Sequence, residues 1–298
     1  MIRDLKACFI FNPNSGHNAR HPYLLERARK FVAANHLDAT VITTERPHHA
    51  REIAKRAADD GCGLVVAIGG DGTMNEIASV LVGSEVMLGL IPCGSGNGLG
   101  RHLGIYGPGK GAFTTLLNGE PRSIDTGMAN GFPFFNAMGL GFDAEISHRF
   151  NRLAQRGLGA YVRTALNAYS HFRPQSYTIS AGQTKLQTNA FIVSIANSDQ
   201  YGNDCFIAPG AQIDDGQLEM TVLKNVNMFN VVPIAVRLFT RTIEGSRQVQ
   251  RISGSQFIIK RPCPGLIHTD GETYETDSTV EITVRPRSLR IMVPTETD

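Results

Sequence analysis

The order of apolar and polar residues predicts two regions with different architectures. In the first 125 residues, short apolar runs alternate with segments whose apolar residues recur at helical spacing. The predicted strands are Ala7–Phe11, Ala39–Thr43, 64–68 and 86–91, and the predicted helices are 23–35, 50–58 and 74–82. Alternation of this kind predicts a parallel sheet covered by helices.

After about residue 125, short apolar runs separated by Gly, Asn, Asp and Pro predict antiparallel strands, as in a β-sandwich. These runs are 132–137, 176–180, 189–195, Leu218–Leu223, 255–259, 279–284 and 288–293. Two helical stretches, 159–171 and 228–242, interrupt them. We therefore predict an α/β domain over residues 1–126 and a β-sandwich domain over residues 127–298. The last strand is free to return to the first domain.

Composition narrows the class of protein. The formal net charge is only +2, whereas a protein that binds along nucleic-acid phosphates usually carries a concentrated basic face. Five dispersed cysteines without a C-x-x-C pair indicate reduced thiols and a cytoplasmic protein. No run approaches the roughly 20 apolar residues that span a bilayer. We expect a soluble protein whose contact with lipid, if any, is peripheral.

Three Gly-rich segments each follow a predicted strand: 12–16 (NPNSG), 69–73 (GGDGT) and 92–98 (PCGSGNG). The carboxyl ends of parallel strands meet at one edge of a sheet, so we expect the three loops to converge there around a ligand. Glycine lets the backbone approach a phosphate closely, and Asp71 adds a carboxylate. Thr73 and Glu76 also form a capping box, which would not require Asp71.

Other segments are ambiguous or misleading. The segments 104–110 and 139–144 imitate phosphate-binding motifs but lack the required strand–helix context. Asp270-Gly271 is typical of a hairpin turn, and from the residues alone that structural role is the stronger interpretation. The turn at 213–216 carries carboxylates that can bind a hard cation.

Together these segments resemble the diacylglycerol kinase catalytic-domain family, which includes sphingosine and ceramide kinases and soluble bacterial lipid kinases. The matching motifs are NPNSG (12–16), TTER (43–46), GGDGTMNE (69–76), GSGNGLGRHLG (94–104), IDTG (124–127), IAPGAQIDDGQL (207–218) and DGE (270–272). The resemblance implies an N-terminal α/β domain like those of phosphofructokinases and NAD kinases, followed by a C-terminal β-sandwich domain.

The resemblance also implies a set of site residues. The implied ATP contacts are Asn12, Pro13, Asn14, Ser15, Gly16, Thr44, Gly70, Asp71, Gly72, Thr73, Asn75, Glu76 and Ser95. The implied Mg²⁺ ligands are the carbonyls of Gln212 and Gln217 and the carboxylate of Asp215. Glu272 occupies the proton-acceptor position, and Asp71 and Asp125 occupy the other two acidic positions near the reacting groups. The reverse assignment, with Asp71 as the base, stays open.

The implied activity is transfer of the γ-phosphate of ATP to a hydroxyl of a membrane lipid, with diacylglycerol as the first expectation. Gly98 departs from the Gram-positive pattern, which has Asp there, and GSGNGL is more similar to the GSGNAL of sphingosine kinases. A sphingoid-base, ceramide or other lipid-alcohol kinase is therefore an alternative, followed by a NAD kinase-like enzyme and a non-catalytic sensor. Peripheral membrane contact is expected, no nucleic-acid partner is expected, and a homodimer is left open.

Overall fold

The computed structural model describes residues 2–20, 23–151, 163–164, 167–169 and 172–295. Contacts divide the chain into two compact units. Unit 1 comprises Met1–Ile124 and Arg287–Asp298, and unit 2 comprises Asp125–Pro286. The division after Ile124 lies two residues before the boundary expected from the sequence. The end of the chain, which the sequence left open, belongs to unit 1.

Unit 1 is built on a parallel sheet. Its strands are β1 (Ala7–Phe11), β2 (Ala39–Thr43), β3 (Leu64–Gly69), β4 (Met87–Pro92) and the end of β16 (Thr279–Val293). The strand order is β2-β1-β3-β4-β16, and each pairing is parallel. Because Phe11 pairs with Ile68 and Ile68 pairs with Ile91, three strands end at one edge. The predicted parallel sheet is confirmed.

Helices cover this sheet. They are α1 (Gly16–Arg20), α2 (Tyr23–Ala34), α3 (His49–Asp59), α4 (Asp71–Leu81), α5 (Gly98–His102) and α6 (Lys110–Asn118), with a 3₁₀ turn at Ile2–Asp4. Every residue of β1, β3 and β4 is buried, which explains their continuous apolar runs. The sequence did not predict α1, α5 or α6. Two of them are only five residues long and offer little periodicity.

Unit 2 is a β-sandwich whose described elements also include helices. Its strands are β5 (Glu120–Ala129), which starts in unit 1, β6 (Phe132–Phe134), β7 (Ala137–Gly141), β8 (Gln175–Ala181), β9 (Thr184–Ala190), β10 (Ile192–Ala196), β11 (Leu218–Leu223), β12 (Val249–Gly254), β13 (Gln256–Lys260), β14 (Gly265–Thr269), β15 (Glu272–Thr276) and the start of β16. Helix α7 spans Phe142–Asn151, and α8 spans Val231–Phe239.

One sheet of unit 2 has the order β12-β11-β10-β7-β14-β15, and the other places β13 between β16 and β8, with β9 beyond β8. The pairings in the first sheet are antiparallel. A shared core contains residues of both sheets, among them Leu140, Ile195, Phe257 and Ile282. The predicted β-sandwich class is confirmed.

The structure corrects several element boundaries in unit 2. The predicted strand 132–137 is the short β6, and β7 follows it. The predicted strands 279–284 and 288–293 are one strand, β16, which continues through Pro286. The predicted helix 228–242 is the shorter α8. The predicted helix 159–171 lies largely outside the described residues. In the described part of the chain, no helix is long and apolar enough to cross a bilayer.

Candidate active site

The three Gly-rich loops of unit 1 lie together at the carboxyl ends of β1, β3 and β4. A Cβ atom placed on Gly70 would lie 3.0 Å from the Cα of Gly94 and 3.2 Å from Ser15 Oγ. Asn12 Nδ2 donates to Thr73 Oγ1 at 2.8 Å, which ties the first loop to the second. Any larger residue at position 70 would crowd this approach, so the expected convergence of the loops is confirmed.

Asp71 links the second loop to the third. Its Oδ2 accepts the Asn97 amide at 2.8 Å, and its Oδ1 accepts the Gly98 amide at 2.9 Å. These amides stand at the start of α5, so the carboxylate caps that helix. Burial raises the pKa of Asp71 above its usual value, and the two amides counteract this in part. The prediction that Asp71 has no structural role is wrong.

The predicted capping box of α4 is also wrong. The N-cap of α4 is Gly70, which makes no side-chain cap bond, and the helix begins at Asp71 rather than Met74. The carboxylate of Glu76 instead accepts the amides of His48 at 3.2 Å and Arg51 at 3.3 Å. Glu76 therefore holds the start of α3. The sequence could not show this, because the two helices meet only in the tertiary structure.

The remaining expected nucleotide contacts are distributed around the three loops. Asn14, Gly16, Gly72 and Ser95 are exposed, whereas Thr44 and Asn75 are buried and Pro13 is half-buried. The buried Oδ1 of Asn75 has no partner among the described residues. Exposed loop backbone next to the amino-terminal end of an 11-residue helix suits an anionic ligand, because the first amides of a helix lack internal acceptors. The loops therefore fit the phosphates of a nucleotide.

Two asparagines that the sequence analysis passed over hold these loops in shape. Asn18 is buried and donates through Nδ2 to the carbonyls of Asn12 at 2.8 Å and Ile68 at 3.2 Å. Asn97 has a positive φ of 52° and bonds both ways to the backbone of Gly94. An Asn among glycines is a signal for such a turn, since Asn tolerates the left-handed conformation.

In unit 2, Asp125 supports the turn that carries the expected Mg²⁺ ligands. Asp125 is fully buried, and its Oδ2 accepts the Gly216 amide at 2.6 Å. Its own amide donates to the Ile213 carbonyl at 2.7 Å. Asp125 thus fixes the backbone between residues 213 and 216 on both sides of the turn. This carboxylate lies within unit 2, as does Asp215, whereas Asp71 lies within unit 1.

The turn offers oxygen atoms that suit a hard cation. Asp215 is exposed, and its Oδ1 accepts the Gln217 amide at 2.9 Å, which leaves Oδ2 for a ligand. Among the described residues, no three His, Cys, Asp or Glu side chains gather as a metal site. A cation here would therefore depend on the carbonyls of Gln212 and Gln217 as well as on Asp215, and such mixed oxygen sets are typical of Mg²⁺ and Ca²⁺.

Glu272 begins β15, directly after a two-residue turn. Asp270 and Gly271 have φ values of 47° and 88°, and Thr269 pairs with Glu272, so this is a tight β-hairpin. The predicted hairpin turn is therefore confirmed, and Glu272 is the first residue after it. Tyr274 donates to Glu272 Oε2 at 2.9 Å. Burial first, and then the charge of Glu272, raise the pKa of Tyr274 to about 12, so the phenol keeps its proton.

Residues beneath the hairpin hold it in place. Asp270 accepts three backbone amides, from Phe135 at 2.8 Å and from Asn136 and Ala137 at 2.9 Å each. Asn151 on α7 donates to the Gly271 carbonyl at 2.6 Å. Glu272 therefore extends from a turn whose backbone is bonded on several sides.

A buried polar chain continues under the turn. The Gly271 amide donates to His268 Nδ1 at 3.4 Å, and His268 Nε2 lies 3.1 Å from Asp143 Oδ2. Tyr201 donates to the same Asp143 oxygen. A Cβ atom on Gly139 would lie within 2.6 Å of both His268 Nε2 and Asp143 Oδ2, so the glycine makes room for this pair.

Asp143, His268 and Tyr201 were not predicted from the sequence. The available signal was a charged or titratable residue inside an otherwise apolar run, as in 139–144 and Gly265–Thr269. The segment 139–144 does not bind a dinucleotide in a βαβ unit, because both neighbours of β7 are antiparallel to it. Its glycines serve the junction of β7 with α7 instead.

Comparison with known protein families gives two matches that together span most of the chain. The profile described as the diacylglycerol kinase catalytic domain matches residues 6–129. The profile described as the YegS C-terminal NAD kinase beta sandwich-like domain matches residues 136–293, which is more than half of the chain.

Similar individual proteins agree with these two family matches. A diacylglycerol kinase of Bacillus subtilis (strain 168) is 30% identical over 240 residues, covering 77% of each chain. The crystal structure of a diacylglycerol kinase from Bacillus anthracis str. Sterne superposes with a TM-score of 0.75 at 20% identity, covering 97% of this chain and 96% of that one. An NAD kinase from Archaeoglobus fulgidus in complex with ATP shares the fold, with a TM-score of 0.53, 11% identity and coverage of 96% and 93%.

Proposed function

Because the chain belongs to the diacylglycerol kinase catalytic-domain family, we propose that it transfers the γ-phosphate of ATP to a hydroxyl of diacylglycerol. The observation that carries the proposal is the convergence of three Gly-rich loops on one edge of the unit 1 sheet, where a Cβ atom on Gly70 would lie within 3.2 Å of both Gly94 and Ser15. Phosphoryl transfer requires positioned phosphates, charge neutralisation and an acceptor for one proton. The described residues offer a group for each task.

The loops of unit 1 would hold the nucleotide phosphates. Gly70 and Gly72 allow close approach of the backbone, and the first turn of α4 presents amides without internal acceptors. Asp71 acts in this proposal as a positioning residue, because both of its oxygens accept amides of the third loop. A nucleotide bound here would meet a surface that the folded backbone has already arranged.

Glu272 would take the proton of the acceptor hydroxyl. Tyr274 occupies one carboxylate oxygen, and Oε1 accepts no hydrogen bond from the described residues. As the hydroxyl oxygen forms a bond to the γ-phosphorus, the bond from that phosphorus to the β–γ bridging oxygen breaks. The proton passes to Glu272, and the products are ADP and a phosphorylated lipid. Stacking of Tyr274 on Phe132, with ring centroids 3.9 Å apart, keeps the phenol beside the carboxylate.

The turn held by Asp125 would bind a divalent cation through Asp215 and the carbonyls of Gln212 and Gln217. A cation at this turn would reinforce the fold of unit 2, since the ligands come from one short segment. Mg²⁺ bound with the nucleotide supplies neutralisation of phosphate charge. Asp125 supports the proposal indirectly, because its buried carboxylate fixes the turn.

One observation favours a second class of acceptor. Gly98 stands where an acidic residue is expected in Gram-positive diacylglycerol kinases, and its amide is engaged by Asp71. The position therefore contributes no charge to a metal–water network. A sphingoid base or ceramide, each with a hydroxyl on a long-chain lipid, is the corresponding alternative acceptor.

A single assay tests the proposal. Purified protein, Mg²⁺ and γ-labelled ATP are incubated with detergent micelles containing diacylglycerol, sphingosine or ceramide, and with NAD⁺ in parallel. We expect labelled phosphatidic acid as the main product. Labelled sphingosine phosphate or ceramide phosphate alone would move the acceptor to the alternative class.

Two other outcomes would contradict the lipid kinase. Labelled NADP⁺ without lipid product would assign the chain to NAD phosphorylation. ATP binding without transfer to any acceptor would support a non-catalytic sensor. The variant Glu272→Gln, measured beside the wild type, excludes activity from a contaminating kinase.

A further inference from the structure

Among the described residues, most of the large exposed apolar side chains lie in one segment. Eight large hydrophobic residues are exposed in the described chain, and five of them lie between residues 228 and 239. These five are Met228, Phe229, Val232, Val236 and Phe239, with exposed fractions of 74, 86, 65, 55 and 45%. We call them the α8 surface. Patches of this kind mark binding surfaces more often than they arise by accident.

Helix α8 is apolar on two faces. Ile234 is buried and Leu238 packs beside it, both against an aromatic cluster that contains Phe142 and Phe191. The α8 surface occupies the other face, because positions 232, 236 and 239 follow the three- and four-residue spacing of a helix, and Met228 and Phe229 lie in the turn directly before it. The fold of unit 2 uses only the inner face. A helix that is apolar on both faces needs a second apolar environment.

Positive charge surrounds the α8 surface. The segment 224–251 contains five basic residues and one acidic residue, a formal charge of +4, whereas the whole chain carries only +2. The single acid, Glu244, pairs with Arg251. Among the described residues, no carboxylate pairs with Arg237, Arg241 or Arg247. The apolar face is thus bordered by arginines, Arg237, Arg241 and Arg247, that no carboxylate of the described residues neutralises.

A cavity of about 270 Å³ opens beside the helix. Its lining includes Asn230, Ile234, Arg237, Ser246, Arg247 and Gln248. Two guanidinium groups line this cavity, and arginine binds phosphate oxygens through several N–H donors, so the lining suits a phosphate-bearing head group.

We propose that the α8 surface docks the protein on an anionic lipid bilayer. The apolar side chains of the α8 surface enter the boundary between head groups and acyl chains, and the cavity at Arg237 and Arg247 takes the phosphate of an anionic lipid. The proposal deepens the proposed function and rests on it in one respect, since a kinase of membrane lipids must reach a bilayer.

The charge pattern favours lipid over protein. An anionic leaflet attracts a uniformly basic rim and offers apolar depth to the side chains in its centre. Protein interfaces usually carry paired charges of both signs at the rim, and the segment 224–251 offers no free acid for such pairing. A second copy of this chain would bring the same positive charge against itself.

Vesicle binding tests the surface without relying on catalysis. The full chain is sedimented, without nucleotide, with vesicles of phosphatidylcholine alone or containing 30% phosphatidylglycerol. We expect binding to the anionic vesicles that weakens as salt is added. Arg247→Gln should lower the partition coefficient about fivefold, and Arg237→Gln with Arg247→Gln about 25-fold, following the usual contribution of each surface cation. Phe229→Ser with Val236→Ser should lower it at least ~10-fold.

Matched controls separate the surface from general effects. Tyr106→Ser changes an equally exposed aromatic residue of unit 1, and Lys185→Gln removes an exposed cation on β9. Both should bind vesicles like the wild type. All variants should keep the wild-type melting temperature, and all should phosphorylate lipid in detergent micelles at the wild-type rate.

Other results would overturn the proposal. If the wild-type protein does not bind anionic vesicles, or if the α8 variants bind them normally, the assignment of the α8 surface to lipid is wrong. A wild-type dimer in solution that Phe229→Ser with Val236→Ser converts to monomer would assign the surface to a second copy. Loss of kinase activity in micelles with normal vesicle binding would contradict the proposed function and leave the docking surface intact.

Discussion

Aspartate side chains accept backbone amides both in the loops of unit 1 and in the turns of unit 2, but the segments that they hold are different. In unit 1, glycines bring three loops together and Asp71 accepts amides from the third loop. In unit 2, Asp125 accepts an amide of the 213–216 turn, and Asp270 accepts three amides below the hairpin. Each aspartate is engaged with backbone.

Glu272 differs from all three aspartates. Its only hydrogen bond among the described residues comes from a side-chain hydroxyl, that of Tyr274. This difference shows that the presence of an acidic residue in a family motif does not by itself identify it as a proton acceptor. The aspartates arrange backbone, and Glu272 is left with an oxygen available to a substrate.

The largest expected effect tests this difference directly. Glu272→Gln keeps an acceptor for Tyr274 but removes proton acceptance, so kcat should fall by about 10²–10⁴. The Kd for ATP should stay near the wild-type value, since the nucleotide loops belong to unit 1. Glu275→Gln, at an exposed position on the same strand, is the control and should keep full activity.

The outcome that would reverse the assignment involves Asp71. If Glu272→Gln turns over normally while Asp71→Asn is inactive yet melts like the wild type, Asp71 is the base. We expect instead that Asp71→Asn also lowers the melting temperature, because an amide side chain cannot accept both backbone N–H groups.

The next effect concerns the close approach of the unit 1 loops. Gly70→Val should weaken ATP binding at least ~100-fold, because its Cβ alone would press on Gly94 at 3.0 Å and displace the loop from the phosphates. Gly109→Val is a matched control, since Gly109 also caps a helix in an extended conformation but has no atom within 4 Å of its Cβ position.

Isothermal titration calorimetry measures the affinity of both glycine variants for ATP. Equal affinities for Gly70→Val and the wild type would show that the phosphates bind elsewhere. A loss in Gly109→Val as large as that in Gly70→Val would indicate damage to the helix starts rather than to the loops.

A smaller effect tests the supporting role of Asp125. Asp125→Asn weakens the bond to the Gly216 amide in a buried position, so the free energy of unfolding should fall by about 1–3 kcal/mol. Chemical denaturation of the variant beside Asp277→Asn, an exposed carboxylate of the same unit, measures the difference. Unchanged stability with lost activity would place Asp125 among the reacting groups instead.

The smallest effect concerns the cation. Mg²⁺ should raise the melting temperature of the wild type, with a stabilisation of about 1.4 kcal/mol at a concentration ten times its Kd. Asp215→Ala should abolish this increase while matching the wild type in EDTA. If Mg²⁺ stabilises both proteins equally, Asp215 is only a turn residue.

The sequence by itself determined the fold class and the approximate position of the loops. Continuous apolar runs at β1, β3 and β4 predicted strands buried on both faces, and the glycines after them were expected where those strands end. The α8 surface could not be predicted from the sequence. The apolar spacing of α8 predicts a helix, but it does not show which of the two apolar faces is covered.

Only the tertiary structure decided which backbone groups the aspartates bind. Asp71 and Gly98 are 27 residues apart, Asp125 and Gly216 are 91 apart, and Asp270 and Phe135 are 135 apart. A carboxylate carries the same formal charge whether it caps a distant helix or accepts a substrate proton. Its role depends on which donors the fold brings within about 3 Å, and pairing across such separations cannot be inferred from local sequence.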